Sequence, residues 1–109
     1  MQIAEERIGN ALVLRPSGRL DGTTAADFER AVLARFDPPP GKLLLDLAEL
    51  EYVSSAGLRA ILMAAKRGKG VGCPLAVCRA RDHIREVFEV SGFGSVLTLY
   101  GTLQQALDS

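Results

Sequence analysis

The spacing of apolar residues along the chain changes several times, and each change predicts a new element of secondary structure. Short apolar runs are typical of strands, whereas apolar residues at three- and four-residue intervals are typical of helices. Turn and capping residues separate these segments, beginning with Gly9-Asn10. In chain order the predicted elements are strands 3–8 and 11–14, a helix from Thr23 or Thr24 to Arg35, strand 42–47, a helix opening at 54–58 and ended by Gly68 and Gly70, strand 75–78, a helix capped by Asp82 and ended by Gly92, strand 96–100, and a helix after the capping box Thr102/Gln105.

This order, β-β-α-β-α-β-α-β-α, predicts an α/β fold. Strands that alternate with helices indicate a mostly parallel sheet, here with one antiparallel hairpin at its start. Strand 42–47 reads Lys-Leu-Leu-Leu-Asp-Leu and is apolar on both faces, which is typical of a central strand covered on both sides. A length of 109 residues with no linker predicts a single domain over residues 1–109.

Composition and charge narrow the possible functions. The 13 basic and 13 acidic residues cancel, and aromatic residues make up only 6% of the chain. Because nucleic-acid-binding domains need a basic surface and often stacking aromatics, we expect no direct contact with nucleic acid. Charge is uneven, however: residues 21–51 hold seven acids and three bases, whereas 59–85 hold seven bases and one acid. The basic segment is either a set of solvated helix faces or a surface for an acidic partner or phosphate.

The two cysteines, Cys73 and Cys78, are expected to be free thiols. If the segment between them is a strand, their odd spacing puts them on opposite faces, beyond the Cα separation of about 7 Å that a disulfide allows. The first ten residues lack the apolar core of a signal peptide, and the longest apolar run, 60–65, is too short to span a bilayer. We therefore expect a soluble, cytoplasmic protein.

The chain carries no motif of a familiar enzyme class. Gly-x-Ser-x-Gly, the phosphate-binding P-loop and Cys-x-x-Cys are all absent, and no residues have metal-ligand spacing. The single histidine, His83, falls in the third predicted helix, so no serine–histidine pair is expected. Asp21 and Asp46 either form a carboxylate pair at the ends of their strands or fix the loops that follow. We expect no catalytic residue, cofactor or metal.

The start of the second helix carries the most informative polar group. Ser54 and Ser55 are adjacent there, although one hydroxyl is enough to cap a helix. The second lies where backbone N–H groups and the helix dipole favour an anion. Gly57 would let the backbone of a partner come close, and Arg59 could reach a phosphate or carboxylate. The group therefore predicts either simple capping or a site for a partner or phosphate.

The order of these motifs resembles the STAS domain of bacterial anti-sigma-factor antagonists over nearly the whole chain. In that family a serine that follows an aspartate and precedes Ser/Thr-Gly-Leu is phosphorylated by a partner kinase. Aligned on Gly57-Leu58, this serine is Ser55, the aspartate is replaced by Ser54, and the following Ser/Thr is replaced by Ala56. Asp21 matches the acidic position of the family beside the phosphosite. The stretches that carry the resemblance are the initial hairpin, Gly18-Arg19-Leu20-Asp21, Asp46-Leu47, Ser54-Ser55-Ala56-Gly57-Leu58 and Val87-Phe88-Glu89-Val90-Ser91-Gly92-Phe93.

The resemblance implies a binding protein that works by partner switching. When unphosphorylated it would bind an anti-sigma factor with a histidine-kinase-like ATPase domain and so free a sigma factor, and phosphorylation of Ser55 would release it. It would be a monomer or weak dimer that touches no membrane. An alternative is a STAS regulatory subunit of another assembly, such as a lipid-transport ABC complex or a stress-signalling complex. A small phosphotransfer or thiol enzyme would lack a nucleophile–base pair. The residues expected to bind the partner are Asp21, Ser54, Ser55, Gly57, Leu58 and Arg59.

Overall fold

The elements of the fold follow the predicted order with one addition. The computed structural model of the chain describes residues 1–92 and 96–109. Its last strand begins at Thr98 rather than at residue 96, and Phe93, part of the stretch that resembles the STAS family, lies outside the described residues. The elements are β1 (Gln2–Ile8), β2 (Ala11–Leu20), α1 (Ala25–Ala34), β3 (Lys42–Asp46), β4 (Leu50–Val53), α2 (Ser55–Gly70), β5 (Leu75–Cys78), α3 (Asp82–Val90), β6 (Thr98–Tyr100) and α4 (Leu103–Leu107).

The six described strands form one mixed sheet. β1 and β2 are an antiparallel hairpin, and the pairs β2–β3, β3–β5 and β5–β6 are parallel. The resulting order is β1-β2-β3-β5-β6, with β4 paired to the C-terminal end of β2. The predicted hairpin and mostly parallel sheet are therefore confirmed.

The short strand β4 was not predicted, and β2 is longer than predicted. The first part of β2 pairs with β3, as far as Leu14 beside Leu45. The last part of β2, from Gly18 to Leu20, pairs with β4 instead, with an irregularity in register between Gly18 and Arg19. Residues 50–53 are buried only at their two ends, so they lack the alternation that marks a strand. Only the neighbouring backbone of β2 makes this segment a strand.

The sheet separates two apolar layers of unequal size. The larger layer joins the sheet to α1, α2 and α3, and the smaller one lies between the sheet and α4. Leu43 and Leu45 belong to the larger layer and Leu44 to the smaller, so β3 is the doubly covered strand that its sequence predicts. Cys73 and Cys78 are buried free thiols in different layers, which confirms the opposite-face prediction.

Two helix boundaries differ from prediction, one because of a close contact from outside the helix and one by a single residue. Gly68 lies inside α2 rather than ending it, and a Cβ there would come within 2.5 Å of the Cys73 carbonyl oxygen. Asp82 is the first helical residue of α3 rather than its cap, and its carboxylate pairs with Arg85 at 3.0 Å. The predicted cap of α4 is present, since the Thr102 hydroxyl accepts the N–H of residue 105.

Candidate functional site

The two adjacent serines do different work at the start of α2. Ser54 is the N-cap, and its Oγ accepts the Gly57 N–H at 3.2 Å. Its own N–H donates to the Leu20 carbonyl oxygen at 2.9 Å, which ties the helix start to the end of β2. Ser55 is the first residue of the helix and is exposed, and within the described residues its hydroxyl makes no hydrogen bond. Capping therefore accounts for Ser54 and leaves the Ser55 hydroxyl facing solvent.

The close approach expected of a partner at Gly57 is made by the chain itself. A Cβ at this position would lie 2.6 Å from the Leu20 carbonyl oxygen, so only glycine lets α2 pack this tightly against β2. Leu58 is also buried, and its N–H donates to the Ser54 carbonyl oxygen at 2.8 Å. The prediction that a partner touches Gly57 and Leu58 directly does not fit this burial. Both residues instead position the exposed serine beside them.

Asp21 lies in the loop that follows β2, next to the hydrogen bond between Leu20 and Ser54. Its Oδ1 accepts the Thr23 hydroxyl at 2.7 Å and the Thr23 N–H at 2.9 Å, and these bonds lower the pKa of Asp21. Its backbone N–H donates to the hydroxyl of Thr24, which occupies the N-cap position of α1 but makes no side-chain hydrogen bond to that helix. The loop thus holds an ionised, partly exposed carboxylate at the edge where α2 begins.

An arginine–tyrosine pair that sequence reasoning missed extends this surface. The Arg19 guanidinium lies 4.1 Å from the centre of the Tyr52 ring, and its Nε is 3.7 Å from Asp21 Oδ2. Both side chains are exposed, and the pairing of β2 with β4 sets them side by side. The contact between Tyr52 and Arg19 could not be found from the sequence, because the pairing of β4 with β2 was not predicted.

The outer face of α2 (Ser55, Arg59, Met63, Lys66 and Arg67) is exposed and basic. Its members follow one another at three- and four-residue intervals, so they line one side of the helix. The helix contains four basic residues and no acidic one. Met63, with 41% of its surface exposed, gives the middle of this face an apolar spot. The face therefore suits an acidic partner with some apolar surface.

Asp46 does not form a carboxylate pair with Asp21. It is fully buried at the end of β3, where Arg15 Nε donates to it at 2.9 Å and the guanidinium of Arg79 donates twice, at 2.6 and 3.0 Å. Burial raises its pKa, but these bonds and the N–H of Ala48 outweigh burial and hold the pKa below its ordinary value. Asp21 and Asp46 thus have separate partners. Each holds the structure around the end of its own strand, as the second of the two expectations, that they fix the loops that follow, had it.

His83 has a structural partner rather than a catalytic one. Its Nε2 lies 2.8 Å from the Glu51 carbonyl oxygen, and since a carbonyl can only accept, Nε2 carries the proton. This contact joins α3 to β4. The described residues contain no group of three or more side chains that could hold a metal ion. None of the described helices has the length and hydropathy needed to cross a membrane.

Comparisons with known proteins agree on the family of this chain. A family model described as "Mlab, STAS domain" matches residues 3–104. BtrV of Bordetella bronchiseptica, named as a candidate anti-sigma factor antagonist, is 34% identical over 97% of this chain and 91% of its own. The anti-sigma-F factor antagonist RsfB of Mycobacterium tuberculosis is 30% identical over 87% of this chain and 77% of its own. The crystal structure of an anti-sigma factor antagonist from Mycobacterium paratuberculosis has a TM-score of 0.87 and 28% identity, with 98% of this chain and 91% of that chain covered. The chain therefore belongs to the STAS domain family.

Proposed function

We propose that this protein is an anti-sigma-factor antagonist that works by partner switching and is switched by phosphorylation of Ser55. The observation that carries the proposal is the division of work between the two serines. Ser54 caps α2, whereas the Ser55 hydroxyl is exposed and unbonded in the described structure. Phosphorylation of a capping hydroxyl would disrupt a hydrogen bond at the helix start. Phosphorylation of the Ser55 hydroxyl breaks no described hydrogen bond of the folded chain. The names of the relatives support the same function.

The partner is an anti-sigma factor with a histidine-kinase-like ATPase domain. It transfers the γ-phosphoryl group of Mg-ATP to Ser55 Oγ, and ADP and the hydroxyl proton leave. The protein is the substrate and binding partner in this step, not the enzyme. It acts in the cytoplasm, where a sigma factor and its regulators work.

The binding surface consists of Asp21, Ser54, Ser55 and Arg59, with Arg19 and Tyr52 at its edge. Gly57 and Leu58 lie behind it and set the position of the helix. A phosphoserine adds about 1.5 to 2 negative charges in the middle of this surface. A hundredfold loss of affinity needs only about 2.7 kcal/mol, which an uncompensated charge in an interface readily supplies. Phosphorylation thus releases the partner.

The replacement of the family aspartate by Ser54 changes the local electrostatics of the acceptor site. The Ser54 side chain is neutral and already accepts the Gly57 N–H, so it offers the kinase no carboxylate. Asp21 is the carboxylate that remains at this edge, and the Thr23 bonds keep it ionised and oriented. We therefore assign to Asp21 the acidic contact that the partner makes here.

The test is phosphorylation by the histidine-kinase-like protein encoded nearest to this gene. Incubation of the full chain with that kinase and Mg-ATP is expected to add one phosphate to wild type and to Ser54→Ala, and none to Ser55→Ala. Mass spectrometry of the peptide that contains both serines identifies the site. Phosphate on Ser54, or equal labelling of the Ser55→Ala variant, would contradict the assignment.

A STAS regulatory subunit of another assembly is the second candidate function. This alternative is supported by the description of the matching family model, which reads "Mlab, STAS domain" and does not mention anti-sigma factors. Genes for a transport complex beside this gene, together with co-purification of the protein with that complex, would support this alternative. A neighbouring kinase that binds the unphosphorylated chain would support partner switching.

A further inference from the structure

Within the described residues, the two arginines of α2, Arg59 and Arg67, have no acidic partner, and Arg59 is the one that lies one turn from Ser55. Arg30 pairs with Asp27 at 2.9 Å on α1, and Arg85 pairs on α3 with an acidic residue three positions before it at 3.0 Å. Arg59 is exposed on α2, and within the described part of the chain it makes neither an ion pair nor a side-chain hydrogen bond. Its charge is therefore available to a group that the unmodified chain does not carry.

The helix neighbours of Arg59 leave one position where such a group can arise. The residues three and four positions away are Ser55, Ala56, Leu62 and Met63, and none of them is charged. Side chains on a helix lean toward its N-terminus, so the long Arg59 side chain extends over the preceding turn, where Ser55 lies. Of the four neighbours, Ser55 is the one that can acquire a charge by modification.

We propose that Arg59 binds the phosphate group of phosphorylated Ser55 within the same chain. This inference rests on the proposed function, because it requires that Ser55 is the residue that is phosphorylated. Side chains four residues apart on a helix have Cβ atoms about 5–6 Å apart, a gap that an arginine and a phosphoserine span together. The planar guanidinium can give two parallel N–H donors to phosphate oxygens, which a lysine at the same place could not do.

The contact makes the switch act through two groups instead of one. In the unphosphorylated protein Arg59 is free to bind an acidic group of the partner. Once Ser55 is phosphorylated, the new phosphate both adds negative charge to the surface and withdraws Arg59 from the partner. The partner thus loses an attractive contact at the same moment as it meets a repulsive one.

The test measures the phosphate directly and needs no partner. Phosphoserine is installed at position 55 of the full chain during translation, by expansion of the genetic code, in wild type, Arg59→Gln, Arg59→Lys and Arg67→Gln. The second ionisation of the phosphate is then followed by 31P NMR as the pH is varied. Arg67 is the matched control, since it is an exposed arginine without a described partner on the same helix but lies about 18 Å from Ser55. That distance exceeds the screening length of about 8 Å at physiological salt.

We expect the phosphate pKa to be lower in wild type than in Arg59→Gln by about 0.3 pH units, the size of an exposed helix ion pair. The Arg67→Gln variant should match wild type, and Arg59→Lys should lie between the two. Equal phosphate pKa values in wild type and Arg59→Gln would overturn the inference. An equal rise in Arg59→Gln and Arg67→Gln would overturn it as well, because the basic charge of α2 as a whole would then be responsible.

Failure of this inference is distinguishable from failure of the proposed function. The phosphoserine is installed without a kinase, so the NMR result stands whether or not any kinase modifies the chain. If the kinase assay fails while the NMR shift is found, the contact exists but the regulatory proposal is wrong. If the kinase labels Ser55 and the NMR shift is absent, phosphorylation acts without Arg59.

Discussion

Substitution of the two serines separates capping from switching, because the structure gives each hydroxyl a different task. Ser54→Ala removes the bond to the Gly57 N–H and leaves that donor unpaired at the helix start. Loss of an N-cap typically costs about 1 kcal/mol. In a domain of this size, this lowers the melting temperature by about 4 °C. Ser55→Ala removes an exposed, unbonded hydroxyl, so its cost should stay below about 0.5 kcal/mol.

The charged variant Ser55→Asp completes the set. A carboxylate at the first helical position interacts favourably with the helix dipole and should leave the melting temperature unchanged or slightly higher. Binding to the partner kinase should change differently: Ser55→Ala should keep wild-type affinity, whereas Ser55→Asp should lose at least tenfold. Thermal melts and calorimetric titration of the same protein samples measure both quantities.

Two results would refute this reasoning. If Ser55→Ala is destabilised as much as Ser54→Ala, then Ser55 is also a structural cap and the division of work between the serines is wrong. If Ser55→Ala and Ser55→Asp bind the kinase equally well, then charge at this position does not control the partner.

Three further predictions concern the support around the site and the core. Gly57→Ala places a Cβ 2.6 Å from a β2 carbonyl oxygen and should cost about 1–3 kcal/mol in urea unfolding, whereas Gly22→Ala, with no described atom within 4 Å, should change little. Asp46→Asn leaves two arginines without their carboxylate and should cost about 2 kcal/mol at pH 7, less than a fully buried pair because the arginines reach solvent. Because the folded pKa of Asp46 is lowered, its contribution is present above the unfolded pKa of about 3.9 and is lost as the pH falls through the folded value. The difference in stability between the variant and wild type should therefore shrink as the pH is lowered into the acid range. Burial raises the pKa of Cys78 to about 11, so native protein should react slowly with a thiol reagent, and unfolding without reductant should release both Cys73 and Cys78; recovery of neither thiol from fresh protein would contradict this.

The sequence by itself determined the elements whose signals are local. The hairpin follows from the Gly9-Asn10 turn before the apolar run 11–14, and the doubly covered strand β3 follows from its continuous apolar residues. The helices follow from apolar spacing of three and four residues. These patterns need no knowledge of the rest of the chain, because burial of one face is imposed on any strand or helix that joins a core.

Only the tertiary structure decided which backbone atoms and charges meet. Pairing with the last residues of β2 makes residues 50–53 a strand and brings Tyr52 beside Arg19. Nothing in the spacing of apolar residues in this segment indicates that pairing. The close approach of the Leu20 carbonyl oxygen explains why residue 57 is glycine. Asp46 is buried with its charge because Arg15 of β2 and Arg79, just after β5, both donate hydrogen bonds to it. The sequence placed two hydroxyls at one helix end. It could not say which of them accepts the Gly57 N–H and which faces water, because that depends on how the start of α2 is held against the end of β2, through the Ser54 N–H and the Leu20 carbonyl oxygen.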